Sequence, residues 1–267
     1  DASVVHVLGS IRVTPENTED WAAAIPVVEG DLATIVSLSC NQGIDCDPAE
    51  IAEWATGRVD IVNLATSANV LPLDELAEVR SILEESEVAS VGFGTDLDQA
   101  VRPFVFDNGD ISVAFHSVSL VAVPEVSATG DTAGIAGPNA LGDVLEAVAS
   151  SREAGHGVVA IVDWGGLEQR APSAIEIDAV EELINAGADA VVGHGSDFLQ
   201  RFDQVGGGVA TYGLGNALST AEDPLRRDTS VLRLEFDRPG RSCLLPATSD
   251  GQGPALDDPN IVTCNAN

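Results

Sequence analysis

The stretch from Val158 to Ala217 constrains the fold more than any other part of the chain. It reads VVAIVDWGG, then an amphipathic segment, then ADAVVGHGSDFLQ, then VATYGLGNA. Three apolar, β-branched runs each stop at a short motif of glycine and polar residues. Such runs, with helical spacing between them, predict strands alternating with helices. Sites in α/β proteins are built on the loops that follow strand ends. The stretch therefore marks a candidate site, at Asp163, His194 and Asp197, as well as a fold.

The remainder of the chain follows the same pattern. Residues 3–13, 31–40, 59–68, 88–94 and 110–121 read as strands. Helices are expected over 47–55, over 72–86 with Leu76, Val79 and Leu83 on one face, over 140–155, and over 173–188 with a glycine near its end. Residues 124–139, rich in Gly, Ala and Thr, read as a flexible loop. The later strands around 207–218 and 229–237 lack intervening helices, so the sheet is expected to be mixed. The glycines Gly206–Gly208 fit a hairpin turn better than a phosphate cradle. No solenoid-length repeat or convincing linker divides the chain.

A chain of 267 residues buries roughly 70–75% of its unfolded surface, so it needs no metal or disulfide merely to fold. Its mean hydropathy is +0.15, and no apolar run approaches the ~18 residues of a membrane span. With no methionine in the sequence, Asp1 reads as a processed terminus left by a secretory signal peptide. The expected location is therefore extracellular or at the cell surface. Four cysteines allow three pairings. The local one, Cys40–Cys46 and Cys243–Cys264, is the simplest, because each pair lies in a Gly/Asp/Pro-rich segment. The wider bridge would contribute on the order of 3 kcal/mol and pin the tail. Zinc is disfavoured, since no C-x-x-C exists and no histidine lies near a cysteine.

The formal net charge is −31, from 43 acidic residues against 12 arginines and no lysine. This argues against nucleic acid and anionic membranes as partners, because phosphate binding needs basic patches. A solvated acidic surface adapted to salty, halophilic surroundings is the simplest reading, since salt screens self-repulsion. His6 and His116 lie inside apolar strands and read as core or sheet-face histidines, whereas His156 lies in an exposed Gly-His-Gly turn. No nucleophile elbow, P-loop or dinucleotide fingerprint is present. The paired acids lack a calcium-loop pattern, and Trp21, Trp54 and Trp164 are too scattered for a sugar platform.

The order of motifs resembles the CapA family of poly-γ-glutamate capsule biosynthesis proteins. Asp163-Trp164-Gly165 is similar to the family's His-Trp-Gly. Gly187-Ala188-Asp189, then Gly193-His194-Gly195-Ser196-Asp197 and Leu199-Gln200, resemble its Gly-Ala-Asp, Gly-His-x-x-His and Leu-Gln. Tyr212-Gly213-Leu214-Gly215-Asn216 resembles Tyr-Ser-Leu-Gly-Asn. Upstream, Val91-Gly92-Phe93-Gly94, with Ala100 and Pro103 beyond, is similar to the family's Gly-x-Gly turn. The resemblance implies an α/β, metallophosphoesterase-like fold of mixed β-sheets flanked by helices in four αββα layers. It covers a domain over residues 1–240, followed by a disulfide-pinned tail over 241–267.

The departures bear on function. The family's Gly-Asp stands as Gly9-Ser10, its Asn-Leu-Glu as Ser37-Leu38-Ser39, and its Asn-Asn-His as Thr66-Ser67-Ala68. Two histidines are replaced by Asp163 and Asp197, and only His194 keeps its type. Two-metal phosphoester hydrolysis needs several carboxylate and imidazole ligands around ions about 3.5–4 Å apart. Ser10, Ser39 and Ala68 cannot supply them. Asp163, His194 and Asp197 remain weak candidates for a single divalent cation. The expectation is a secreted, catalytically silent relative without a cofactor. It would act as an extracellular structural protein, self-assembling into a fibre or surface layer through a donated terminal strand, or as a binding protein for cell-wall or capsule material. The rival is a phosphoesterase-like or poly-γ-glutamate-related enzyme with a relocated metal site.

Overall fold

The computed structural model describes residues 4–11, 33–38, 55–56, 59–67, 72–166, 168–217, 223–236, 242–249 and 254–256. Two β-sheets dominate it. The first runs β15(Pro254–Leu256)-β14(Cys243–Ser249)-β13(Asp228–Glu235)-β1(Val4–Ile11)-β2(Ala33–Leu38)-β3(Ile61–Asn63)-β4(Ala89–Val91). The second runs β11(Phe202–Val205)-β12(Gly208–Thr211)-β10(Ala190–His194)-β9(Gly157–Asp163)-β7(Ser112–Ser119)-β6(Phe104–Asp107). Strands β1 to β4 are parallel, as are β7, β9, β10 and β12, while the remaining pairings in these two sheets are antiparallel. Both sheets are mixed, as the sequence implied.

Alternation along the strands explains the layers. On β2, Ile35 faces the inter-sheet core, whereas Val36 and Leu38 pack with Leu76, Val79 and Leu83 of α1(Leu73–Glu85). On β9, Val159 and Ile161 enter the same core, shared with Val5, Val7 and Leu232 of the first sheet. Val158, Ala160 and Val162 point the other way, under α3(Leu141–Glu153) and α4(Ala174–Ala186). Strands covered on both faces need apolar residues at consecutive positions, which is why they read as continuous runs. The order is helix, sheet, sheet, helix.

Local signals place the helix ends. The Asp96 side chain accepts from the Gln99 amide and starts the short helix α2(Leu97–Ala100). Ser173 and Glu176 form a capping box at the start of α4, and Gly187, with φ 122°, ends it. Several expectations need correction. The run 88–94 is split by Gly92 into β4 and a separate short strand, β5(Phe93–Gly94). Residues 124–139 are not a loose loop: β8(Gly134–Ile135) pairs with β5, and Ile135 and Ala136 are fully buried. The edge strands β6 and β11, only partly buried, were not anticipated from the sequence. The glycine turn does join β11 to β12, which pair from Val205 opposite Gly208. Residues 243–249 extend the first sheet, with Leu245 and Ala247 buried. Cys243 is disulfide-bonded, while Cys40, Cys46, Cys264 and nearly all of the expected helix over 47–55 lie outside the described residues.

His116 is fully buried on β7, with Nε2 3.0 Å from Ser151 Oγ of α3. Burial lowers its pKa from 6.5 to about 4. The unfolded chain therefore takes up this proton at a pH where the folded chain does not. Stability is lost as pH falls from 6.5 towards 4, by about 3 kcal/mol from this residue at the lower end. His116→Gln is expected to flatten the fall in Tm over that range in scanning calorimetry; an unaltered slope would refute the assignment.

Candidate functional site

Strand register assembles the site. Ser119, Asp163 and His194 are opposite one another at the carboxyl ends of β7, β9 and β10. Ser37 and Asn63 are opposite at the ends of β2 and β3, and Ser10 of β1 is in register with Ser37. The two rows face each other. Asn63 Nδ2 lies 2.9 Å from His194 Nε2 and donates to Ser37 Oγ at 3.1 Å, while its Oδ1 accepts from Ser117 Oγ at 2.5 Å and from the amide of Ala65 at 3.0 Å. All four polar positions, Ser37, Asn63, Ser117 and His194, are buried. An amide nitrogen can only donate, so His194 Nε2 is the acceptor, which assigns the proton of the neutral ring to Nδ1. Burial pushes the His194 pKa down, and the nearby Asp163 charge opposes that shift.

Asp163 is 1% exposed. Its Oδ2 accepts from the backbone amide of Ser67 and from Ser119 Oγ at 2.9 Å, and its Oδ1 from the amide of Gly165 at 2.9 Å. A buried carboxylate keeps its charge only when so supplied with donors. Glycine spacing makes room for this. Any side chain at Gly193 would strike the indole of Trp164, which lies across β10 and donates to Tyr212 O at 2.9 Å. A side chain at Gly195, where φ is +106°, would run into Asp163 Oδ1 and the loop at Gly165.

Asp197 turns to other partners. Its Oδ2 accepts from Arg226 Nη1 and its Oδ1 from Asn216 Nδ2 at 2.9 Å. The structure thus brings Asp163 and His194 together and commits Asp197 to an arginine. Thr66 Oγ1 donates to Leu38 O at 3.1 Å; Ser39 and Ala68 lie outside the described residues. Asn63, Ser117, Ser119 and Arg226 were not singled out from the sequence. Asn63 and Ser119 could have been, as polar residues closing apolar runs. Arg226 carries no local signal.

The described side chains do not fit a two-metal centre. Asp163 has three donors, the His194 Nε2 lone pair faces an amide, and Asp197 is neutralised by a guanidinium. Among the described residues, no group of three or more His, Cys, Asp or Glu side chains is arranged to hold a metal ion. A cavity of about 740 Å³ lies at the opposite, amino-terminal end of the second sheet, lined by Ser112, His156, Gly157, Asp189 and Gly208. His156 is half-buried there, with Nδ1 2.8 Å from Ser112 Oγ, not fully exposed as expected.

Two facing mixed sheets with helices outside and a site at the strand ends define a metallophosphatase-like fold. The chain belongs to the bacterial capsule synthesis protein family PGA_cap, whose model matches residues 44–221. No curated protein matches it significantly. Among solved structures, it is similar to a hypothetical protein from Thermus thermophilus (TM-score 0.54, 13% identity, 95% of this chain and 96% of that one). It is also similar to the NAD nucleotidase of Haemophilus influenzae (TM-score 0.57, 9% identity, 100% and 60%). A third similar structure is a putative 5'-nucleotidase from Staphylococcus aureus (TM-score 0.54, 12% identity, 96% and 55%). The chain thus spans less than two thirds of each nucleotidase. At these identities the likeness is one of fold.

Asp163→Asn keeps the shape but turns an NH2 group towards the amide of Ser67 or of Gly165. It is expected to cost about 1–3 kcal/mol in chemical denaturation. Unchanged stability would mean that those hydrogen bonds do not hold the carboxylate.

Proposed function

We propose that this family member is a pseudoenzyme that works by its surface, as a secreted structural or binding protein outside the cell. The observation that carries the reading is the commitment of its two strand-end carboxylates: Asp163 to Ser67, Ser119 and Gly165, and Asp197 to Arg226 and Asn216. Phosphoester hydrolysis would need those oxygens on cations. Ser10, Ser39 and Ala68 at the other ligand positions support the same reading.

The face above the site favours contact with another molecule. Among the described residues, five large hydrophobic side chains are exposed, and four of them, Val121, Val123, Ile175 and Leu225, lie on loops or element starts at the carboxyl end of the parallel strands. Exposed apolar groups at one end of the sheets, in an otherwise highly acidic chain, suit a contact that forms where salt screens the charge. Copies of the same chain, in a filament or surface layer, are the partner this reading favours.

Two measurements test it. Protein purified without chelators is expected to contain no stoichiometric Mn, Zn or Fe and to hydrolyse no phosphoester. Bound metal together with turnover, both lost in Asp163→Ala, would establish the enzyme instead. Sedimentation in rising NaCl is expected to show self-association that a Val123→Asp/Ile175→Asp variant loses. A monomer at every salt concentration would rule out assembly.

A further inference from the structure

The arginine that meets Asp197 also meets a second carboxylate. Arg226 sits in the turn Pro224–Arg226, just before β13. Its Nη1 donates to Asp197 on the loop after β10, and its Nη2 to Glu168 on the loop after β9. Asp223 adds a third negative charge acting on the same guanidinium, and pairs with Arg170 Nη2 at 3.8 Å. Arg170 and Arg226 both lie over the ring of Phe198, 4.2 and 5.2 Å from its centroid. Phe198 itself is buried. Three separate segments therefore meet on one cation, in a chain with 43 acidic residues and only 12 arginines.

We infer that Arg226 is the resident cation of the strand-end face: its guanidinium does the cross-linking that an inorganic cation would otherwise do between these loops. The inference rests on the non-catalytic reading and adds a residue and a role to it. A planar guanidinium offers two parallel N–H directions to two carboxylates and cannot lose its proton at neutral pH. Asp197 is 20% exposed, so this arm is screened less than the arm to Glu168, which is 76% exposed. Asn216 fixes the other oxygen of Asp197, leaving the carboxylate aimed at Arg226. Without Arg226, the Asp197 and Glu168 carboxylates lose the cation they share, and paired carboxylate oxygens of that kind attract hard divalent cations.

The test compares Tm for the wild type, Arg226→Ala, Arg226→Lys and Arg226→Ala/Asp197→Asn. Each is measured in EDTA and in manganese at about 1 mM, the range of weak carboxylate sites. The wild type and Arg226→Lys are expected to be indifferent to manganese. Arg226→Ala is expected to lose about 3 °C or more and to recover part of it with manganese, and the double variant to show no recovery. Arg226→Gln carries the comparison if the alanine variant does not accumulate. A Tm for Arg226→Ala within about 1 °C of wild type, or one that manganese leaves unmoved, overturns the inference while leaving the non-catalytic reading standing. A wild type that manganese stabilises and activates overturns that reading instead.

Discussion

A negative charge buried where two sheets meet has to be surrounded by donors, and the Asp163 carboxylate sets that requirement here. Its donors come from the segment after β3 in the first sheet and from β7 and the loop after β9 in the second. The carboxylate therefore ties the two sheets together at their carboxyl ends. Beside it, the contact between Asn63 and His194 makes a second tie across the same gap. The interior below is apolar and nondirectional, so it does not by itself fix how the sheet ends meet. These polar contacts do.

On the proposed non-catalytic reading, the same contacts would let a metallophosphatase-like frame hold its shape without ions. Metal centres cross-link loops through ligands on several strands. In this chain, backbone amides, two serine hydroxyls, an asparagine amide and a guanidinium supply the cross-links. Two of the substitutions relative to the resembled motif follow the same logic. A carboxylate at 163 accepts where an imidazole would have coordinated, and a carboxylate at 197 pairs with Arg226. Burial disfavours the charged form of the His194 imidazole, and an amide donates to its Nε2.

Much of this was legible in the sequence, for identifiable reasons. Doubly covered strands such as β9 and β10 are apolar at successive positions, and α1 and α4 carry clean helical stripes, so local pattern and tertiary burial agree. The motifs at 163–165 and 193–197 marked the strand ends because glycine is sterically required there. Short edge strands such as β6 and the pair β5–β8 were not legible, since their existence depends on a neighbour distant in sequence. The site was legible as a place and less so as a set of contacts. Asp163 and His194 meet through register, whereas Asn63 reaches His194 across 131 positions and Arg226 reaches Glu168 across 58. No local pattern encodes such pairings.

On the proposed reading, hydrogen bonds and a guanidinium hold the strand ends in place of inorganic cations. Its most direct test is a crystal of the protein soaked in manganese and measured across the manganese absorption edge. No anomalous peak is expected beside Asp163, His194 or Asp197, with Asn63 still bonded to His194 and Arg226 still bonded to Asp197. An ordered peak within coordination distance of the Asp163 carboxylate and His194 Nε2, with Asn63 displaced, would contradict it.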